Sequence, residues 1–103
     1  KNAAILHENG VELAICTDHT VIPIQYLPLS AQAAVKGGLS ADEALRAITV
    51  TPAKILGIDD VTGSITVGKD ADLQLYRRGE NPLELLSEPQ LVMVSGRICR
   101  KDI

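Results

Sequence analysis

Apolar and polar positions follow two regimes along this chain, with the change near residue 58. In the first regime, residues 1–9 are rich in helix formers (Ala3, Ala4, Ile5, Leu6, Glu8), and Asn9-Gly10 supplies the left-handed stop expected just after a helix. Val11 to Thr17 then read Val-Glu-Leu-Ala-Ile-Cys-Thr, a short apolar run interrupted only by Glu12. So continuous a run predicts a strand covered on both faces, as in a parallel sheet with helices outside. Helix, glycine turn and buried strand make half of a βαβ repeat.

The strand ends in Thr17-Asp18-His19-Thr20, followed by a loop carrying Pro23 and Pro28. A helix is predicted from Pro28 to Lys36, with the proline tolerated in its first turn and Gly37-Gly38 closing it. Ser40-Ala41-Asp42-Glu43 has the form of a capping box, in which Ser40 accepts from the Glu43 amide and Glu43 returns to the Ser40 amide. Ala41, Ala44, Leu45 and Ile48 follow at helical spacing as one apolar stripe. Thr51-Pro52 predicts a further short helix, Thr51 as its cap, ending at Gly57.

The second regime is strand-like. Val61 to Val67 and Asp72 to Arg77 read as strands separated by the turn cluster Gly68-Lys69-Asp70-Ala71. Leu73, Leu75 and Arg77 alternate with Asp72, Gln74 and Tyr76, a period of two that suits a half-exposed sheet. Glu80 to Pro89 is polar with two prolines and predicts a loop, with one helical turn over 83–86. Leu91 to Val94 and Arg97 to Arg100 flank Ser95-Gly96, a two-residue hairpin signal. The chain therefore divides into an α/β piece, 1–57, and a β-only piece, 58–103.

Composition narrows the classes. With 103 residues the chain is one small domain or part of a larger one. Phe and Trp are both absent, so an interior must come from Leu, Ile, Val and Ala, which leans toward α/β packing. The net charge is -3 and no basic run exceeds Arg77-Arg78, which excludes a nucleic-acid footprint. No apolar run approaches the ~20 residues of a membrane-spanning helix. The start at Lys1, with neither methionine nor leader, reads as a processed or truncated piece. Cys16 and Cys99 show no CxxC spacing, so neither a disulfide framework nor a zinc knuckle is expected. Reduced, buried thiols in a cytoplasmic protein are expected instead, with Cys16 an inert small hydrophobe in its strand.

Few residues can carry chemistry. Asp18 sits where a buried parallel strand gives way to its loop, the edge at which α/β sheets hold their active sites. From pattern alone it is either a general base or metal ligand, or a turn former capping through its own backbone. His19 points to the opposite face if the strand continues, and is read as hydrogen-bonded in the loop or facing solvent. His7 is structural, and Asp70 and Asp72 are read as turn-forming. The glycines match neither GxGxxG nor GxxxxGK[ST]. A catalytic zinc takes about three protein ligands, so these residues cannot complete a mononuclear site by themselves.

Several motifs together carry a resemblance. They are Thr17-Asp18-His19, Ser40-Ala41-Asp42-Glu43-Ala44-Leu45-Arg46-Ala47-Ile48-Thr49, Thr51-Pro52-Ala53-Lys54-Ile55-Leu56-Gly57, Gly63-Ser64-Ile65-Thr66-Val67-Gly68-Lys69-Asp70-Ala71-Asp72-Leu73 and Val92-Met93-Val94-Ser95-Gly96-Arg97. In this order the chain resembles the C-terminal end of metal-dependent amidohydrolases, nearest the imidazolonepropionase-related group. The resemblance implies an α/β fold: the last strand (Glu12 to Thr17) and helices of a (β/α)₈ barrel over 1–57, then strands of a composite β-sandwich over 58–103. It implies a hydrolase of non-peptide carbon–nitrogen bonds, such as cyclic amides, using a divalent metal, zinc. Asp18 would be the metal-proximal carboxylate that takes a proton from metal-bound water and passes it to the leaving group. His19 receives no role. The remaining ligands would lie upstream of Lys1, so the fragment alone is expected to be inactive. The expected partners are the missing N-terminal part of its own chain, a small-molecule substrate and further copies of itself. A deaminase of the same superfamily and a non-catalytic structural or oligomerisation module are the alternatives.

Overall fold

Helix punctuation is where local sequence acts most directly. In the computed structural model, which describes residues 1–84 and 86–102, helix α1 spans Asn2–Glu8 and ends at Gly10, whose φ is +77°. The Gly10 N–H bonds the His7 carbonyl and the Val11 N–H bonds the Leu6 carbonyl, both at 3.0 Å. That pair of bonds satisfies two carbonyls the helix end would otherwise leave open, and it needs a left-handed residue between them. Gly57 (φ +75°) closes α4, Val50–Leu56, in the same way, with Ile58 N–H on the Ala53 carbonyl at 2.9 Å.

Between them lie a 3₁₀ turn (Ile24–Tyr26), α2 (Leu27–Lys36) and α3 (Ala41–Arg46). Pro28 falls in the first turn of α2, where the ring costs no hydrogen bond. Ser40 caps α3, its Oγ accepting the Glu43 N–H at 3.1 Å. The reciprocal half of the expected capping box is not among the described hydrogen bonds. Instead, Glu43 Oε2 lies 3.8 Å from His7 Nδ1 at the end of α1. Helix α4 also corrects an expectation: it starts at Val50, with Thr49 rather than Thr51 at the cap position. Thr49 Oγ1 donates to the Leu45 carbonyl at 2.8 Å and so does not cap. Pro52 still sits within the first turn, where N–H groups have no intrahelical partner.

The helices pack on alanine. Ala4, Ala31, Ala44, Leu39 and Leu83 form the buried cluster, with Ile15, Val35 and Ile48 against it. Small side chains let the helices approach closely, but they remove little area from water. The accessible surface is 7385 Å², against roughly 5,600 Å² expected for a compact chain of this mass.

The sheet is antiparallel, in the order β1 (Leu73–Leu75), β2 (Leu91–Val94), β3 (Arg97–Lys101). Leu73 pairs with Met93 and Leu75 with Leu91, while Met93 also faces Ile98, so these apolar residues share one face. The hairpin turns at Ser95 (φ +48°) and Gly96 (φ +79°), both left-handed, as a two-residue primed turn requires. The hairpin expectation for 91–100 agrees with this, whereas the strand expected over Asp72 to Arg77 pairs only at Leu73–Leu75.

Two further strand expectations do not agree. Residues 11–17 form no ladder among the described residues, and 61–67 form turns and bends. A strand is defined by its neighbours, and among the described residues the apolar run 11–17 finds only one long-range backbone bond, Ile15 N–H to the Ala47 carbonyl at 2.9 Å. Cys16, expected buried, is exposed for the same reason. Segment 61–70 closes on itself, Asp70 N–H bonding the Val61 carbonyl at 2.8 Å. Its side chains Ser64, Thr66 and Lys69 form a chain of hydrogen bonds of 2.8–2.9 Å. The helical turn expected over 83–86 includes position 85, which lies outside the described residues.

Candidate functional site

The loop that follows segment 11–17 is held by three consecutive residues. Thr17, which is buried, accepts the Ile22 N–H on its carbonyl at 3.2 Å. The Asp18 carbonyl accepts the Val21 N–H at 2.8 Å. His19 Nδ1 accepts the Ile24 N–H at 2.9 Å. The backbone from 17 to 24 is thereby closed into a hydrogen-bonded bend leading into α2.

Asp18 occupies the left-handed region, φ +53°. Aspartate tolerates that region better than most residues, yet a non-glycine there, at the end of segment 11–17, is a pointer to function. Its carboxylate is exposed and takes part in no hydrogen bond or ion pair among the described residues. The turn is closed by its backbone carbonyl, which leaves both carboxylate oxygens free to accept a proton or face a ligand. His19 is spent differently. With Nδ1 accepting from Ile24, the neutral ring carries its proton on Nε2, and Nε2 alone remains outward-facing chemistry.

The structure brings Asp18 and His19 to one bend but adds no third group. No cluster of three His, Cys, Asp or Glu side chains fit to hold a metal ion occurs among the described residues. A groove of about 270 Å³ lies elsewhere, lined by His7, Glu12, Glu43, Arg46 and Lys54, and does not include Asp18. His7 and Glu43 meet across it, joining the end of α1 to the start of α3.

One carboxylate has a larger structural part than its sequence suggests. Asp72, read as turn-forming, accepts the Ser95 N–H at 2.9 Å on Oδ1 and the Thr62 hydroxyl at 2.8 Å on Oδ2. The Ser95 N–H first, and then the Thr62 hydroxyl, hold its pKa below the ordinary 3.8. Its partners lie ten and 23 positions away, and local pattern reading has no term for such separations. The alternation Asp72, Gln74, Tyr76 does mark Asp72 as belonging to the polar side of β1, which is the one signal available.

Residues 1–99 match the model of the Amidohydrolase family. Imidazolonepropionase of Cupriavidus pinatubonensis is 39% identical over 92% of this chain and 24% of its own length. That of Mesorhizobium japonicum is 36% identical over 77% of this chain and 22% of its own. Among solved structures, an amidohydrolase from Thermotoga maritima superposes with a TM-score of 0.89 at 36% identity, covering 97% of this chain and 26% of that one. A putative prolidase from Bifidobacterium longum gives 0.79 at 38% identity, covering 93% and 25%. The chain thus spans about a quarter of the length of the proteins it matches.

Proposed function

The chain belongs to the amidohydrolase family, and on that premise we propose that it is the C-terminal part of a hydrolase of non-peptide carbon–nitrogen bonds, cyclic amides among them. The observation that carries this reading is the bend at 17–24, which fixes the backbone of Asp18 through its neighbours and leaves the carboxylate unengaged. Similarity to imidazolonepropionases supports the choice of a cyclic amide over other C–N substrates.

Under this reading segment 11–17 is the last strand of a (β/α)₈ barrel, and 58–103 contributes strands to a β-sandwich. The unpaired apolar run 11–17 and the bare aliphatic surface are what a barrel stave leaves when its neighbours are on other segments. The partner proposed for those surfaces is the remainder of a whole amidohydrolase chain.

Asp18 is proposed as the proton carrier. Its oxygens accept a proton from the attacking water and return it to the leaving nitrogen, a role that suits a carboxylate free of competing donors. Members of this family typically use a divalent metal. The residues present here do not fit one by themselves, since Asp18 stands with a single neighbouring imidazole whose Nδ1 is already engaged. This chain alone is therefore proposed to be inactive. In the whole protein, zinc is proposed to be held beside Asp18 by further ligands outside these 103 residues.

Grafting tests the assignment. Replacing the matching quarter of the Thermotoga maritima amidohydrolase with this chain should give an enzyme that hydrolyses cyclic amides. A well-folded graft without such turnover would remove the support for the proposed function.

A further inference from the structure

The bond from the Ile24 N–H to His19 Nδ1, 2.9 Å long, decides what the rest of the ring can do. A backbone N–H only donates, so Nδ1 accepts and carries no proton, and the ring keeps its proton on Nε2. Protonated, Nε2 has no lone pair with which to ligate a metal ion or take a proton from water. It can only donate. Among the described residues nothing accepts from it, and the ring is exposed. Asp18, one residue back, offers the complement, since its exposed carboxylate oxygens are acceptors with no donor among the described residues. The chain turns at Asp18, where φ is +53°, so the alternation that sends successive strand side chains to opposite faces does not operate there. One bend thus carries an open acceptor and an oriented donor on adjacent residues.

We propose that His19 and Asp18 together read the amide edge of a cyclic amide, His19 Nε2–H donating to its carbonyl oxygen while one Asp18 oxygen accepts its N–H. The proposal rests on the hydrolase function proposed above and deepens it, giving His19 a substrate contact and naming the feature the site selects. Geometry makes the selection. In an open-chain secondary amide the unit is trans, and its N–H and C=O point opposite ways. A small ring forces the cis form, disfavoured in open chains, and sets N–H and C=O side by side on one edge. A donor and an acceptor on adjacent residues of one bend match that edge, not the trans one. Charge agrees with this: residues 19–35 hold no Asp, Glu, Lys or Arg, so the bend beyond Asp18 offers no ionic partner and suits an uncharged edge. The second Asp18 oxygen stays open for the proton transfer assigned to it.

The test separates the two ring nitrogens. In the 103-residue chain, a long-range ¹H–¹⁵N spectrum is expected to show His19 protonated on Nε2 and bare at Nδ1; a proton on Nδ1 overturns the proposal. In the Thermotoga maritima graft, calorimetry with 2-pyrrolidinone as the probe is expected to show binding that falls about tenfold in His19→Asn. The Asn oxygen can still hold the Ile24 N–H in place of Nδ1, as Ile24 hydrogen exchange checks, but nothing stands where Nε2 was. His19→Gln, whose terminal amide reaches the place of Nε2 and not that of Nδ1, is expected to bind more tightly than His19→Asn despite faster exchange at Ile24. N-Methylacetamide, with N–H and C=O opposed, is expected to bind the unsubstituted graft about tenfold more weakly than 2-pyrrolidinone. The proposal is overturned by a graft that does not bind 2-pyrrolidinone, by equal binding in His19→Asn, by weaker binding in His19→Gln than in His19→Asn, or by equal binding of N-methylacetamide. None of these readings requires turnover. A graft that binds as described yet hydrolyses no cyclic amide removes the hydrolase function and leaves the edge contact standing. A graft that hydrolyses cyclic amides with undiminished binding in His19→Asn removes the edge contact alone.

Discussion

Asp72 and Ser95, 23 positions apart, are joined by a 2.9 Å hydrogen bond from the Ser95 backbone N–H to Asp72 Oδ1. Because Oδ2 of the same carboxylate holds Thr62, one side chain ties the self-closed loop 61–70, the start of β1 and the turn of the β2–β3 hairpin together.

This tie depends on the charge of Asp72. Its folded pKa lies below the ordinary 3.8, so the bonds favour the ionised form. The contribution is whole above about pH 4, where the carboxylate is ionised in both folded and unfolded chains. It is lost as pH falls through the lowered folded value. The Ser95 amide resonance in NMR is expected to hold its shift from neutral pH down to about pH 4 and to move upfield below it. In Asp72→Ala the same amide is expected to exchange with solvent faster at every pH, while amides of α1 keep their rates.

Gly63 is the point at which that loop meets the helices. A Cβ added there would lie 2.6 Å from Ala53 Cβ and 3.2 Å from the Thr49 carbonyl oxygen, and the backbone is left-handed at φ +99°. Ala53 is buried on α4 and cannot give way. Gly63→Ala is therefore expected to cost about 1–3 kcal/mol through overpacking, read as a lower urea midpoint with an unchanged slope. Gly68→Ala meets no atom within 4 Å. Its cost is expected to be smaller, from backbone strain alone.

Ser40 is the one side-chain cap among the described helices. Ser40→Ala is expected to destabilise by about 1 kcal/mol, whereas Thr51→Ala, at a position the sequence suggests as a cap, should lack that penalty because Thr51 lies inside α4. Urea denaturation of both variants, compared with wild type, checks this.

These cases also show which parts of the fold are legible in the residues. Local devices read correctly: the left-handed stops at Gly10 and Gly57, the Ser40 cap, the Ser95-Gly96 turn and the alternation through Leu73 and Leu75 are each fixed by interactions within a few positions. Strands 11–17 and 61–67 did not, because a strand needs a neighbour to bond with, and none of the described residues supplies one. The same reasoning covers Cys16, whose apolar surroundings predict burial only if something lies over them. At the site, the position of Asp18 at the end of an apolar run was legible. The role of His19 Nδ1 in holding Ile24 was not, since its partner is an ordinary backbone N–H with no signature.

His19 can be separated from Asp18 by experiment. His19→Ala leaves the Ile24 N–H without its acceptor, so hydrogen exchange at Ile24 is expected to rise, and loosening of the bend should broaden the resonances of 21–24. His19→Asn, which can still offer an oxygen, is expected to restore much of the protection. A ring that served only solvent would leave Ile24 exchange unchanged in both.

The central claim is that a single free carboxylate, Asp18, moves the proton in carbon–nitrogen bond hydrolysis. The most direct measurement is the turnover of the grafted enzyme carrying Asp18→Asn, which keeps the size of the side chain and removes its basic charge. The expected result is a fall in kcat of about 10²–10⁴-fold with an unchanged melting temperature and circular dichroism spectrum. Turnover within a few-fold of the unsubstituted graft would contradict the assignment and leave Asp18 a bend former only.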